Sequence, residues 1–104
     1  MLKIKLFCSA GMSTSLLVNK MREVAKKRGM EVEVNAYPES KIDQETNGND
    51  CDVALLGPQV RYLLAKAKDI CEPKGIPVDV IPMQAYGTMN GEQVLDMAMA
   101  MKNV

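Results

Sequence analysis

Four short apolar runs alternate along the chain with segments whose apolar residues recur at helical spacing, and that alternation restricts the fold more than any other feature. Residues 2–7 read as a first strand. Leu17, Met21, Val24 and Ala25 then repeat at helical spacing, Asn19, Lys20, Glu23, Lys26 and Lys27 fill the other face, and Gly29 supplies a stop, so a helix is expected over about residues 13–28. Residues 30–36 alternate with period two, as an edge strand with one face on the core does, and Val53-Ala54-Leu55-Leu56 suits a central strand buried on both sides. Pro58 opens a second helix, expected to run to Cys71 with Val60, Leu63, Leu64, Ala67 and Ile70 inside. Residues 78–81 form the fourth strand and 82–87 a loop. Asn90 is placed to cap a last helix, with Gln93 set to reach back and Val94, Leu95, Ala98 and Met101 as its apolar stripe. The stretch from Pro38 to Asn49 reads as a polar loop with room for one helical turn.

Strands separated by helices and short connections are joined by right-handed crossovers. The expected fold is therefore α/β, a doubly wound four-stranded parallel sheet in the order 2-1-3-4 with helices on both faces. At 104 residues the chain supports one core, so residues 1–104 are read as a single domain.

Composition removes several functions. The 13 basic and 13 acidic residues cancel, which leaves no global field to recruit nucleic acid or an anionic membrane. Three cysteines, no signal-peptide pattern and no apolar run long enough for a bilayer point to a reducing cytoplasm, free thiols and no membrane insertion. The chain has no histidine, so a Cys-His pair, a histidine-ligated metal and a histidine phosphocarrier step are all impossible within it. Cys8, Cys51 and Cys71 are scattered, without the paired spacing of a zinc site or of a thioredoxin-like redox centre. No cofactor and no metal are expected.

What remains is Cys8. It stands where the first strand runs out into Ser9-Ala10-Gly11-Met12-Ser13-Thr14-Ser15, small and hydroxyl residues that open into the first helix. In a doubly wound sheet ligands bind beyond the carboxyl ends of the strands, next to the point where the winding reverses, which lies beside strand 1. A strand-loop-helix junction there gathers backbone N–H groups and the positive end of a helix dipole, an anion site that also favours thiolate over thiol. A free cysteine is commonly a small buried hydrophobe, and Cys51 and Cys71 are read that way. For Cys8 the following loop, poor core material and good phosphate-cradle material, tips the reading to a nucleophile that carries a phosphoryl group. The nine methionines are core filler, with Met12 a possible contact. Gln59, Arg61 and Tyr62 follow the next strand-to-helix turn and suit a phosphate, a partner or ordinary surface equally.

The segment Leu6-Phe7-Cys8-Ser9-Ala10-Gly11-Met12-Ser13-Thr14-Ser15-Leu16-Leu17-Val18 resembles the active-site segment of enzyme IIB of the lactose/cellobiose class in the bacterial sugar phosphotransferase system. The likeness extends to Asp52-Val53-Ala54-Leu55-Leu56-Gly57-Pro58-Gln59-Val60 and to Ala85-Tyr86-Gly87. It implies that Cys8 accepts a phosphoryl group from a phosphohistidine of enzyme IIA and passes it to a sugar, such as cellobiose, chitobiose or lactose, held by the membrane enzyme IIC. It also implies a fold related to low-molecular-weight tyrosine phosphatases. From the residues themselves, the loop 9–15 is expected to bind phosphate chiefly through backbone N–H groups, and the carboxyl edge of the sheet is expected to present a partner surface that includes Met12, Gly57, Pro58, Gln59 and Tyr86. The rival reading is such a phosphatase. Those enzymes carry C-x5-R-[S/T] and an acid loop, whereas here Thr14 stands at the arginine position and no Asp-Pro pair occurs. A receiver domain fits less well, because Asp50 and Asp52 precede strand 3 instead of following it.

Overall fold

The computed structural model describes residues 1–9, 11–48 and 50–102, and of residues 11–13 the backbone alone. Strands β1 (Leu2–Cys8), β2 (Val32–Pro38), β3 (Val53–Leu56) and β4 (Val78–Val80) form one parallel sheet in the expected order β2-β1-β3-β4. The helices are α1 (Gly11–Lys27), α2 (Ile42–Glu45), α3 (Leu64–Cys71), α4 (Met83–Gly87) and α5 (Gly91–Lys102).

The two-residue period of the strands sorts their side chains into two cores. Ile4 and Leu6 of β1 with Val53 and Leu55 of β3 face α1, α4 and α5, where Leu17, Met21, Ala85, Val94 and Leu95 cover them. Phe7, Ala54 and Leu56 point the other way, against Ile42, Val60, Ala67 and Cys71. Each large side chain so buried stabilises the fold by roughly 1.5–3 kcal/mol before the entropy of ordering it is counted. Lys5 breaks the apolar pattern of β1. Its Nζ donates to the Glu45 carbonyl at 2.8 Å and to the Glu45 carboxylate at 3.1 Å, and lies 5.3 Å from the Tyr37 ring centre. Burial pushes this ammonium down, yet the bond to Glu45 and the charges around it carry its pKa above the ordinary value.

Several elements depart from the sequence reading, each for a local reason. The first helix starts at Gly11, two residues early. At its other end Gly29 and Met30 donate back to Lys26 and Ala25 at 3.1 and 2.9 Å, which spends Met30 on the helix stop and delays β2 to Val32. The helix expected over residues 58–71 is two pieces: a 3-10 stretch Pro58–Leu63, then α3. Val60, with φ −116° and ψ 24°, leaves helical geometry while its side chain fills the core, so Leu63, Leu64 and Ile70 rotate to half-buried positions. The fourth strand stops at Val80, before Ile81. The loop expected over 82–87 contains α4, five residues that bury Ala85 and Tyr86. Asn90 does cap α5, accepting from the Gln93 N–H at 3.0 Å; Gln93 reaches back to the Asn90 amide, 3.4 Å away. Met101 is half-buried.

Gly91, the first residue of α5, fixes how closely two helices approach. A Cβ there would stand 2.6 Å from the Lys20 carbonyl carbon and 2.7 Å from the Met21 nitrogen, so α5 rests directly on the backbone of α1. Arg28 adds ion pairs to Asp96 at 2.7 Å and Glu92 at 3.5 Å across the same contact.

Candidate functional site

β1 ends at Cys8, paired in register with Pro38 of β2, at the carboxyl edge of the sheet. The central position of β1 explains the burial: Cys8 is 2 % exposed, while the next residue, Ser9, is exposed. α1 begins at Gly11 with no acidic residue in its first turn, so no side chain of its own offsets the positive end of its dipole.

Three further elements converge on the cysteine. From the first turn of α1, Thr14 donates a hydrogen bond from Oγ1 to Cys8 Sγ at 2.6 Å. From α4, the Tyr86 hydroxyl lies 3.1 Å from the same Thr14 oxygen. From the end of β3, the Gly57 N–H donates to the Phe7 carbonyl at 2.8 Å, which draws the Gly57-Pro58-Gln59 turn against the strand. A Cβ on Gly57 would lie 3.1 Å from Cys8 Cβ and 3.0 Å from Gln59 Oε1, so only glycine leaves the cysteine its present room.

Among the residues expected to bind phosphate, Thr14 is buried on the sulfur and Ser9 and Ser15 are exposed. Gly11, Met12 and Ser13 enter as helical backbone only, and Ala10 lies outside the described residues. Of those expected at a partner surface, Gln59 is exposed, whereas Gly57, Pro58 and Tyr86 are buried. The direct bearing of Gly57 on Cys8 and of Tyr86 on Thr14 escaped the sequence reading. The signals were that both fall at the carboxyl edge of the sheet and within the segments that resemble enzyme IIB.

Cys51 and Cys71 sit in the second core, as the sequence reading has them. Burial pushes the Cys51 thiol up to about 11 and raises Cys71 as well, which leaves both protonated at neutral pH. Among the described residues, no group of three or more His, Cys, Asp or Glu side chains is placed to hold a metal ion, and no helix is long and apolar enough to cross a membrane. A groove of about 420 Å³ runs between Glu39, Asp43, Tyr62 and Lys66, with Cys8 not among its lining residues.

A parallel α/β sheet with a thiol at the head of its first crossover defines a class, and residue matches resolve it further. Residues 3–97 match the family model described as the lactose/cellobiose-specific IIB subunit of the phosphotransferase system. The chain is similar to two components of Lactococcus lactis, each 44% identical over 103 residues that cover 96% of this chain and 95% of the relative: a galactose-specific EIIB component from subspecies cremoris and a cellobiose-specific one from subspecies lactis. Among solved structures, the cellobiose-specific phosphotransferase IIB component from Borrelia burgdorferi superposes with a TM-score of 0.80 at 39% identity, over 98% of this chain and 92% of that one. The chain belongs to the lactose/cellobiose-specific IIB family of the sugar phosphotransferase system, whose members are phosphotransferases of sugar uptake.

Proposed function

We propose that Cys8 is the phosphoryl carrier of this IIB component. The thiol sulfur attacks the phosphorus of a phosphohistidine on enzyme IIA; an S–P bond forms, the P–N bond breaks, and the thiol proton ends on the released imidazole. In the second transfer a sugar hydroxyl on the membrane enzyme IIC attacks the same phosphorus, the S–P bond breaks, and the hydroxyl proton is left for the sulfur. The observation that carries this reading is the meeting of Cys8, Thr14 and the start of α1 at the carboxyl edge of the sheet. The whole cycle then rests on positioning and electrostatics, as phosphoryl transfer generally does.

Burial suits a carrier, because a phosphocysteine that must wait for its acceptor has to be kept from bulk water. Ser9, exposed beside it, marks the side from which a donor approaches. Gln59 offers a polar contact on the same rim. The chain acts in this reading as one cytoplasmic IIB domain spanning residues 1–104. Its sugar is a β-linked disaccharide such as cellobiose, chitobiose or lactose, in keeping with cellobiose-, galactose- and oligo-β-mannoside-specific components among the relatives and a cellobiose-specific one among the solved structures.

Incubation with phosphorylated enzyme IIA tests the assignment. One phosphate should be gained by the wild type, by Cys51→Ser and by Cys71→Ser, and none by Cys8→Ser. Label retained in Cys8→Ser would overturn it. So would a wild type that hydrolyses p-nitrophenyl phosphate rapidly through Cys8 and takes no label from the donor, which is the behaviour of a phosphatase.

A further inference from the structure

We infer that the Thr14 hydroxyl is a catalytic group acting on the Cys8 sulfur, and that Tyr86 is a positioning residue which fixes the direction in which Thr14 donates. The carrier reading of Cys8 gives this hydroxyl chain its functional meaning, while the hydrogen bonds that form it stand apart from that reading.

A threonine hydroxyl has one proton and two lone pairs. Thr14 gives its proton to Cys8 Sγ at 2.6 Å. With that proton committed, the Thr14 oxygen can only accept from the hydroxyl of Tyr86, 3.1 Å away. The chain of donation therefore has one direction, from Tyr86 through Thr14 to sulfur, and each bond polarises the next. Both side chains are enclosed, Thr14 at 1 % and Tyr86 at 6 % exposure, so solvent competes little for either hydroxyl. The three groups come from β1, α1 and α4, and Tyr86 is separated from Thr14 by 72 positions in sequence.

A chain of this polarity favours a sulfur that bears negative charge, since a hydrogen bond to a charged acceptor is about twice as strong as one to a neutral one. It helps at two moments. As Cys8 attacks, the bond holds the electron-rich sulfur in place. Once the S–P bond exists the sulfur is a weak acceptor, and the bond from Thr14 weakens. When the sugar hydroxyl attacks, the bonding pair returns to sulfur and Thr14 donates to it again, stabilising the leaving thiolate. The Thr14 proton stays on its oxygen throughout, and Tyr86 prevents that oxygen from turning its proton away.

Two measurements on the same variants test this. The first is single-turnover transfer from phosphorylated enzyme IIA; the second is alkylation of Cys8 by iodoacetamide at pH 7, which needs no partner. Thr14→Val, nearly isosteric, should slow transfer about tenfold to a hundredfold, the worth of one charge-assisted hydrogen bond. Thr14→Ser keeps the hydroxyl and should restore most of the rate. Tyr86→Phe should slow transfer about fivefold, the worth of an ordinary hydrogen bond, and should add nothing in the Thr14→Val background. Alkylation should fall in the same order by smaller factors, because the hydroxyl chain orients the sulfur for attack on either electrophile, while a sulfur relieved of its donor is intrinsically more nucleophilic. Wild-type rates for Thr14→Val in both assays would overturn the catalytic role. Full, independent multiplication of the Tyr86→Phe and Thr14→Val effects would overturn the positioning role. If the wild type takes no phosphate, the carrier reading falls, while the alkylation series still decides whether the hydroxyl chain acts on the sulfur.

Discussion

Replacing Gly57 with alanine should separate what holds this protein together from what lets it transfer a phosphoryl group. The added Cβ would lie 3.1 Å from Cys8 Cβ, 3.0 Å from Gln59 Oε1 and 3.7 Å from the Phe7 carbonyl oxygen. Carbon atoms in contact prefer about 3.5–4.0 Å, so Cys8 and the turn must separate by roughly half an ångström. Gln59 is exposed and can swing aside, but Cys8 is held by β2 on one side and by the Gly57–Phe7 hydrogen bond on the other. Gly57 itself has φ −64° and ψ 152°, which alanine adopts freely, and alanine loses less entropy on folding, a gain of about 0.4–1 kcal/mol. Overpacking costs about 1–3 kcal/mol. The net loss is then about 1 kcal/mol, or a fall in melting temperature of roughly 5 °C in a domain of this size. Transfer responds more steeply. A misplacement of ~1 Å at a reacting centre costs about a hundredfold, so half of it should slow single-turnover transfer from enzyme IIA about tenfold. Melting followed by circular dichroism and transfer followed by radiolabel, both well below the melting point, give the two numbers. Wild-type transfer in a folded Gly57→Ala protein would show that the turn does not bear on the sulfur.

Gly91→Ala should do the opposite, leaving the site chemistry alone and weakening the fold: its Cβ meets the α1 backbone at 2.6 and 2.7 Å, atoms that cannot rotate away. The cost is on the order of 3 kcal/mol and roughly 12 °C or more in melting temperature, and a shift below about 3 °C would refute the packing argument. Cys51 makes a pH prediction. Burial raises its thiol from an ordinary 9.0 to about 11, so between pH 9 and 11 the unfolded chain releases a proton that the native state keeps. The stability this thiol contributes is fully present below pH 9 and is lost as pH rises through 11. Cys51→Ala should therefore show a shallower alkaline decline in denaturant midpoint than the wild type, and equal slopes would exclude Cys51 as the source.

Much of this was legible in the sequence because it is repeated along the chain. Ile4, Leu6 and Phe7 in the first strand and the unbroken apolar run Val53 through Leu56 mark strands with buried faces, and crossover handedness then allows few sheet orders. The position of Cys8 at the carboxyl edge follows from those elements alone. What stayed hidden depends on single contacts. Five residues of α4 are too few for a helical period to register, and Pro82 before them reads as loop. Val60 interrupts its helix for the sake of one buried side chain, a tertiary demand with no local sign. Thr14 and Tyr86, like Gly57 and Cys8, meet only because the sheet brings distant segments to one edge.

The residue at position 14 joins the two kinds of information. The sequence placed a threonine where a phosphatase signature carries arginine, and read it as equipment that is missing. The fold turns that threonine onto the sulfur, with Tyr86 behind it. In the proposed carrier role the exchange has a direct energetic sense. An arginine clamps the phosphoryl oxygens bidentately with a full charge, and binding that strong in the intermediate would have to be overcome when the sugar arrives. A neutral hydroxyl acts most strongly when the sulfur carries charge, at attack and at departure, and weakly in the phosphocysteine between them. A carrier must take the group and also let it go, so it benefits from a donor whose strength follows the charge on sulfur instead of the presence of phosphate.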